Sequence, residues 1–387
     1  MRKVRIQYIE RKFNHYVSVE KVFRQIEKGL DAAAFDVSFQ QLPYLNTFFG
    51  MLKNLLIFRF NKNADIYHVT GDCHYIAFVL PPRNTVLTIH DLRFLNTRTG
   101  LRRWILKKIL LDWPLKKLTY ITAVSAATKC EILHNSACDP NKIRIIENPL
   151  DNFFLTNERR EFDTAMPNIL QIGTPPHKNI INLIKAVEGL TCHLTIVGEL
   201  NSDIKTLLVE KDIRYTNKSE LDSDAIKSEY QKADLVVFCS LYEGFGLPII
   251  EAQAMQKPVV TSDISPLKEV AGEGGAVLVN PYDYKSIREG ILRVINNPNI
   301  RESLRKKGLK NIERFERLNI AAMYETLYNE IMVNCSTGHE QIAKQSNILF
   351  PQPKDAGEAR DMLKILSKEI TPVSRCVFIK YGLELQK

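Results

Sequence analysis

Two carboxylates, Glu243 and Glu251, stand with seven residues between them in "LYEGFGLPIIEAQAMQKPVV" (241–260). The preceding apolar run "DLVVFCS" reads as a strand, so "LYEGFG" is the loop at its carboxyl end. Pro248 suits the first position of a helix. The N–H groups of Gly246, Leu247 and Ile249 then point out of the helix start, where the dipole favours an anion. Gly244 and Gly246 allow backbone to come close to a ligand. Glu243 lies in the loop and Glu251 about one turn into the helix, so an anion at that start has an acid on either side. A nucleotide diphosphate-sugar has this layout, with sugar hydroxyls, diphosphate and ribose hydroxyls in sequence. The plainer reading makes Glu251 a first-turn acid and Glu243 a solvated loop residue. Spacing alone does not separate the two.

The elements that would position these acids are legible as apolar runs alternating with amphipathic stretches. In the second half the strand candidates are "NILQIGT", "HLTIVGE", "DIRYTN", "DLVVFCS", "PVVTSD" and "GAVLVNP". Helical stretches such as "KNIINLIKAVEG", "ELDSDAIKSEYQKA" and "LPIIEAQAMQ" separate them. Continuous apolar strands between helices indicate a parallel sheet covered on both faces. The first half repeats the pattern with "VRIQYIE", "DVSFQ", "ADIYHV", "TVLTIH", "LTYITAV" and "KIRIIEN". The chain therefore reads as two doubly wound α/β units joined near 150–167. Ligands of such sheets bind beyond the carboxyl ends of the strands.

Composition sets the outer bounds. A chain of 387 residues, 45% hydrophobic and 25% charged, is long enough for two cored domains and too apolar for a disordered one. The N-terminus "MRKVRIQYIERKF" carries no long apolar stretch, which argues against a secretory signal, and no window is apolar enough for a spanning helix. Seven cysteines at irregular spacings, with no CxxC pair and no Cys/His cluster, read as reduced thiols in a cytoplasmic protein and give no metal site. Residues 1–160 hold 25 Lys/Arg against 14 Asp/Glu, a balance of +11, so the remainder carries −2 of the overall +9.

Several separated motifs agree on one family. "SLYEGFGLPIIEAQAMQKPVVTSDISPLKEVAGEGGAVLVNPYD" closely resembles the C-terminal signature of glycosyltransferase family 4, the retaining nucleotide-sugar transferases of GT-B fold. The likeness extends over about residues 1–334 and is strongest over 165–285. It implies two facing Rossmann-like domains with a cleft between them: residues 1–160 on the acceptor side and 161–315 on the donor side. A helix at 316–335 is expected to cross back to the first domain; 336–387 stay unassigned. It further implies that Glu243 contacts donor sugar hydroxyls, with the backbone of Gly244, Phe245, Gly246 and Leu247 close by, and that Glu251 binds ribose.

The same resemblance assigns "ILQIGTPPHKNIINLIKAV", where a turn at Gly173 precedes a lysine on the diphosphate, here Lys178. The basic residue expected after the glycine is Thr174, the loop is one residue short, and His177 stands as a partial substitute. Gly198 in "LTIVGEL" matches a turn near the nucleotide. His90, at the end of "TVLTIH", corresponds to a histidine beside the reacting sugar, with Asp91 either at the site or orienting the turn. Ser125 and Asn148 are read as structural or at the cleft edge. One departure concerns the loop after the first strand, "ERKFNHYVSVEKVF", which lacks the family's paired glycines. Arg11 and Lys12 are either its cationic replacement or ordinary solvated charges.

The function implied is transfer of a sugar, with retention, from a nucleotide diphosphate-sugar to a hydroxyl acceptor in cell-surface polysaccharide, lipid-linked oligosaccharide or glycolipid synthesis. Lys178, His90 and Glu243 are the catalytic candidates. No cofactor or metal is expected, since side-chain and backbone positive charge serve the leaving diphosphate, and "DSD" (222–224) reads as a helix-start acid cluster. A front-face route, in which the departing phosphate takes the acceptor proton, is the usual proposal for such folds. The alternatives are a nucleotide-sugar isomerase on the same architecture and a donor-binding module that has lost transfer. Basic residues interleaved with Trp104 and Trp113 over 91–120 suit either contact with an anionic membrane or a partly buried helix with charged edges. No nucleic-acid motif accompanies them.

Overall fold

The computed structural model describes residues 2–12 and 18–337. The helix anticipated in "AGEARDMLKILSKEI", the other residues beyond 337 and most of the loop after the first strand lie outside the described residues. The first half contains β1 (Val4–Glu10), α1 (Ser18–Gly29), β2 (Phe35–Gln41), α2 (Phe48–Ile57), β3 (Ile66–Val69) and β4 (Thr85–Ile89). It continues through α3 (Arg93–Asn96), α4 (Gly100–Lys107), α5 (Trp113–Lys117), β5 (Tyr120–Ala123), α6 (Ala126–Asn135) and β6 (Ile143–Ile145). These strands form a parallel sheet of order β2-β1-β3-β4-β5-β6. Every residue of β3, β4 and β5 is buried, which is why the runs are apolar without alternation.

The second half holds β7 (Asn168–Ile172), α7 (Ile180–Val187), β8 (His193–Val197), α8 (Ser202–Glu210), β9 (Tyr215–Lys218) and α9 (Ser223–Lys232). Then come β10 (Leu235–Phe238), α10 (Leu247–Ala254), β11 (Val259–Ser262), α11 (Leu267–Ala271), β12 (Val277–Val279), α12 (Tyr284–Asn296) and α13 (Pro298–Ile312). This sheet is also parallel, in the order β12-β11-β10-β7-β8-β9. Its order reverses between β7 and β10, so the loops that follow those two strands diverge and open a crevice. Asp222 of the "DSD" run caps α9, accepting the Ala225 N–H at 2.8 Å.

The last described helix, α14 (Arg317–Thr337), returns to the first sheet. Its Ile320, Tyr324, Leu327 and Ile331 pack with Ile6, Tyr8, Phe23 and Ile26. The approach of α14 to α1 needs a residue without a side chain: a Cβ on Gly29 would lie 2.8 Å from that of Ala321. A buried polar chain fixes the docking. The Tyr328 hydroxyl lies 3.1 Å from that of Tyr8 and 2.7 Å from His68 Nδ1. His68 Nε2 is 2.7 Å from Thr88 Oγ1, which is 2.6 Å from Thr122 Oγ1. Burial pushes His68 down to about 3, so the ring is neutral and each nitrogen has one partner.

The basic stretch is not one helix. A π-helical turn at Lys108–Asp112 interrupts it between α4 and α5. Lys107 and Lys108 both pair with Asp112, each at 3.0 Å. Leu101, Arg102, Arg103 and Trp104 of α4 are all exposed.

Candidate functional site

The crevice beyond β7 and β10 is built by two loops laced together. Asn179, in a left-handed conformation (φ 62°), donates its side-chain amide to Cys239 O at 2.9 Å and Pro281 O at 2.7 Å. The Leu241 N–H donates to His177 O at 2.8 Å. These bonds tie the loop after β7 to the loop after β10 and bring Lys178 Nζ to 2.5 Å from Glu243 Oε1. Gly173 (φ 89°) lets the lysine stem cross it, for a Cβ there would sit 3.0 Å from Lys178 Cε. Gly198 (φ 133°) plays the same part beneath Thr174, with 2.9 Å from its would-be Cβ to Thr174 Oγ1. Thr174 itself is buried.

At the start of α10 the arrangement differs in detail from the sequence reading. The helix begins at Leu247, so Pro248 is its second residue. The Ile249 N–H is engaged by Gly246 O at 3.0 Å, which narrows the anion-facing groups to Gly246 and Leu247. Phe245 contributes backbone only: its ring is buried edge-to-face on Phe315, with centroids 5.6 Å apart. Glu251 accepts a hydrogen bond from the Tyr230 hydroxyl at 2.7 Å. Burial pushes its carboxyl up to about 7, opposed by the Tyr230 hydrogen bond and the charge of Lys21 across the cleft. Lys21, on α1, donates to Ser223 Oγ at 2.8 Å.

The first domain closes on this loop at Gly244. A Cβ on that residue would lie 1.9 Å from His90 O, so only glycine allows the contact. Gly244 O accepts from Ser125 Oγ at 2.8 Å and Thr128 Oγ1 at 3.3 Å. Ser125 also caps α6 through the Thr128 N–H. Neighbouring Tyr242 donates its hydroxyl to Glu131 at 2.7 Å and accepts the Leu92 N–H at 3.0 Å. His90 is buried and neutral, its pKa lowered chiefly by that burial. Its Nε2–H points at Thr70 O, 2.9 Å away, leaving Nδ1 as the acceptor. Asp91 orients the turn by accepting the Arg93 N–H at 2.9 Å; burial raises its carboxyl.

Two candidate cations are not free charges. Arg11 is paired with Glu20 at 2.9 Å and Asp72 at 2.7 Å, which cancels it as an open site for phosphate, while Lys12 is exposed. His177 is pushed down to about 4, first by burial and then by Lys178 and Arg93, so it is no substitute for a basic residue. Arg93 Nη1 lies 3.1 Å from that ring. Four residues that lace or flank the site lay outside the sequence reading: Arg93, Asn179, Tyr230 and Tyr242. Arg93 stands two residues after Asp91 and Asn179 directly after Lys178, so both were within sight. Tyr230 and Tyr242 carried no local signal, because their partners are distant in sequence.

Comparison with known proteins agrees with this architecture. A family profile described as glycosyl transferases group 1 matches residues 159–311, and one described as Glycosyltransferase Family 4 matches 23–152. The chain belongs to glycosyltransferase family 4. The O-antigen chain mannosyltransferase RfbU of Salmonella typhimurium is 30% identical over 226 residues, which are 56% of this chain and 62% of that protein. The capsular polysaccharide biosynthesis glycosyltransferase CapM of Staphylococcus aureus is 27% identical over 316 residues, 73% of this chain and 81% of its own. Among solved structures, the sucrose-phosphate synthase of Thermosynechococcus elongatus superposes with a TM-score of 0.70 at 17% identity, covering 86% of this chain and all of its own. Anabaena HepE, solved in complex with UDP and glucose, gives 0.68 at 16% identity, over 84% of this chain and all of its own. These likenesses show the GT-B fold. The named relatives are transferases, which disfavours the isomerase reading.

Proposed function

We propose that this family 4 member transfers a sugar, with retention, from a nucleotide diphosphate-sugar to a hydroxyl of a glycan or lipid-linked acceptor in surface-polysaccharide synthesis. The observation that carries the reading is Lys178 and Glu243 meeting at the reversal point of the second sheet, before the start of α10. Lys178 and the Gly246 and Leu247 N–H groups meet charge on the departing diphosphate. Glu243 accepts from sugar hydroxyls, and Glu251 accepts from ribose. His90 presents Nδ1 as an acceptor beside the reacting sugar. The acceptor enters from the first domain, and the departing phosphate takes its proton on the same face. The positive groups already present make the reaction independent of metal. The polysaccharide roles of RfbU and CapM and the UDP and glucose held by HepE support this class of substrates.

Among the described residues no helix is long and apolar enough to cross a membrane. Exposed Phe49, Ile57, Leu101 and Trp104 share the first domain with Lys53, Arg59, Arg102 and Arg103 and favour a peripheral contact with an anionic cytoplasmic leaflet. The test of function is a panel of UDP- and GDP-sugars with the purified protein, read by thermal shift and slow donor hydrolysis, with EDTA in one arm. One donor should stabilise the protein and release its nucleotide at the same rate with and without EDTA. No response to any donor would defeat the assignment.

A further inference from the structure

The charge at the donor site does not balance within the second domain. A nucleoside diphosphate ester brings about two negative charges. The second domain meets it with Lys178, whose ammonium is already matched by Glu243 at 2.5 Å. Thr174 is buried and uncharged, and His177 is neutral. The compensating charge stands opposite, on the first domain. Arg93, at the start of α3, is exposed and directs Nη1 to 3.1 Å from both ring nitrogens of His177, the residue next to Lys178. Among the described residues Arg93 forms no salt bridge: its guanidinium meets a neutral imidazole, and its charge is felt only by the neighbouring Asp91 carboxyl and by His177 itself.

The backbone holds Arg93 in place. Its N–H is fixed by Asp91 at 2.9 Å, and the preceding Leu92 N–H by the hydroxyl of Tyr242 at 3.0 Å. Tyr242 adjoins Glu243, so the loop that carries the acid also sets the base of the arginine. A guanidinium offers a planar fork suited to two phosphate oxygens. We propose that Arg93 reaches across the cleft as the second cation on the donor diphosphate. The inference rests on the donor-site reading above. It makes donor binding and closure of the cleft one event, because the diphosphate is fully matched only when both domains are in contact.

The experiment measures calorimetric binding of a nucleoside diphosphate and the matching monophosphate, without acceptor, to wild type, Arg93→Ala and Arg93→Lys. Arg93→Ala should weaken diphosphate binding by about tenfold or more, as for loss of a hydrogen bond to a charged group, and leave the monophosphate nearly unchanged. Arg93→Lys should recover part of the loss, since it keeps the charge without the fork. Arg93 is exposed, so unfolding temperatures should stay together; if the alanine variant fails to fold, the lysine variant's diphosphate-to-monophosphate ratio decides. Equal diphosphate affinity in wild type and variants overturns the inference, as does an equal loss for both nucleotides. Those outcomes leave the donor site standing. If wild type binds neither nucleotide, the donor-site reading falls and this inference with it.

Discussion

Replacing Gly244 by alanine tests whether contact between the two domains sets the geometry of transfer. The new Cβ would lie 1.9 Å from His90 O, 2.9 Å from the His90 carbonyl carbon and 3.1 Å from Asp91 Cβ. Carbon and oxygen do not approach much below about 3 Å, so the loop must retreat by about 1 Å. That movement stretches the bonds from Ser125 at 2.8 Å and Thr128 at 3.3 Å to Gly244 O, and carries Glu243 away from His90. A displacement of about 1 Å costs near 10²-fold in rate, or about 2.7 kcal/mol of barrier. Neither core is touched, because the clash lies between the halves. Gly244→Ala should therefore fold with an unfolding temperature close to wild type, show a larger radius of gyration by solution scattering with donor bound, and lose about 10²-fold in kcat. Wild-type kcat with unchanged scattering would refute the argument that this contact positions the reacting groups.

Glu243→Gln should bind nucleoside diphosphate at least as tightly as wild type, because Lys178 loses its 2.5 Å partner, while kcat falls by about 10²-fold; weaker nucleotide binding would contradict the pairing. Glu251 is raised to about 7 from an ordinary carboxyl value, so the native state binds the extra proton. Its contribution to stability is full at low pH and is lost as pH rises through about 7, a swing of no more than about 3 kcal/mol. Glu251→Gln should flatten that part of a denaturation-versus-pH curve; donor affinity should run the opposite way, rising toward pH 7 and above because ribose needs the carboxylate. Tyr328→Phe leaves His68 Nδ1 and the Tyr8 hydroxyl without their shared partner, and should lower unfolding free energy by about 1–3 kcal/mol in urea titrations.

The strands were legible in two ways: "VRIQYIE", which alternates apolar and polar residues, is β1 to the residue, and the mostly apolar "TVLTIH" exceeds the fully buried β4 by one. The acids and Lys178 were legible because their spacing around a strand end and a helix start is local. What failed to show depended on partners far away in sequence. Nothing in "ERKF" announces that Asp72, 61 positions on, cancels Arg11. Nothing in "HKN" announces that burial would strip His177 of its charge. The free cation likewise sat unremarked in "HDLRF", since its bearing on the second domain exists only once the two sheets face each other.

The return of α14 also governs the order in which the molecule can be assembled. Translation releases the strands of the first sheet before any of the second, yet Tyr8, Phe23 and Ile26 must wait for Tyr324, Leu327 and Ile331. A nascent chain stopped after α13 but before residue 317 would hold a finished second sheet beside a first one with an open apolar flank. The half that leaves the ribosome first is thus the last to be sealed.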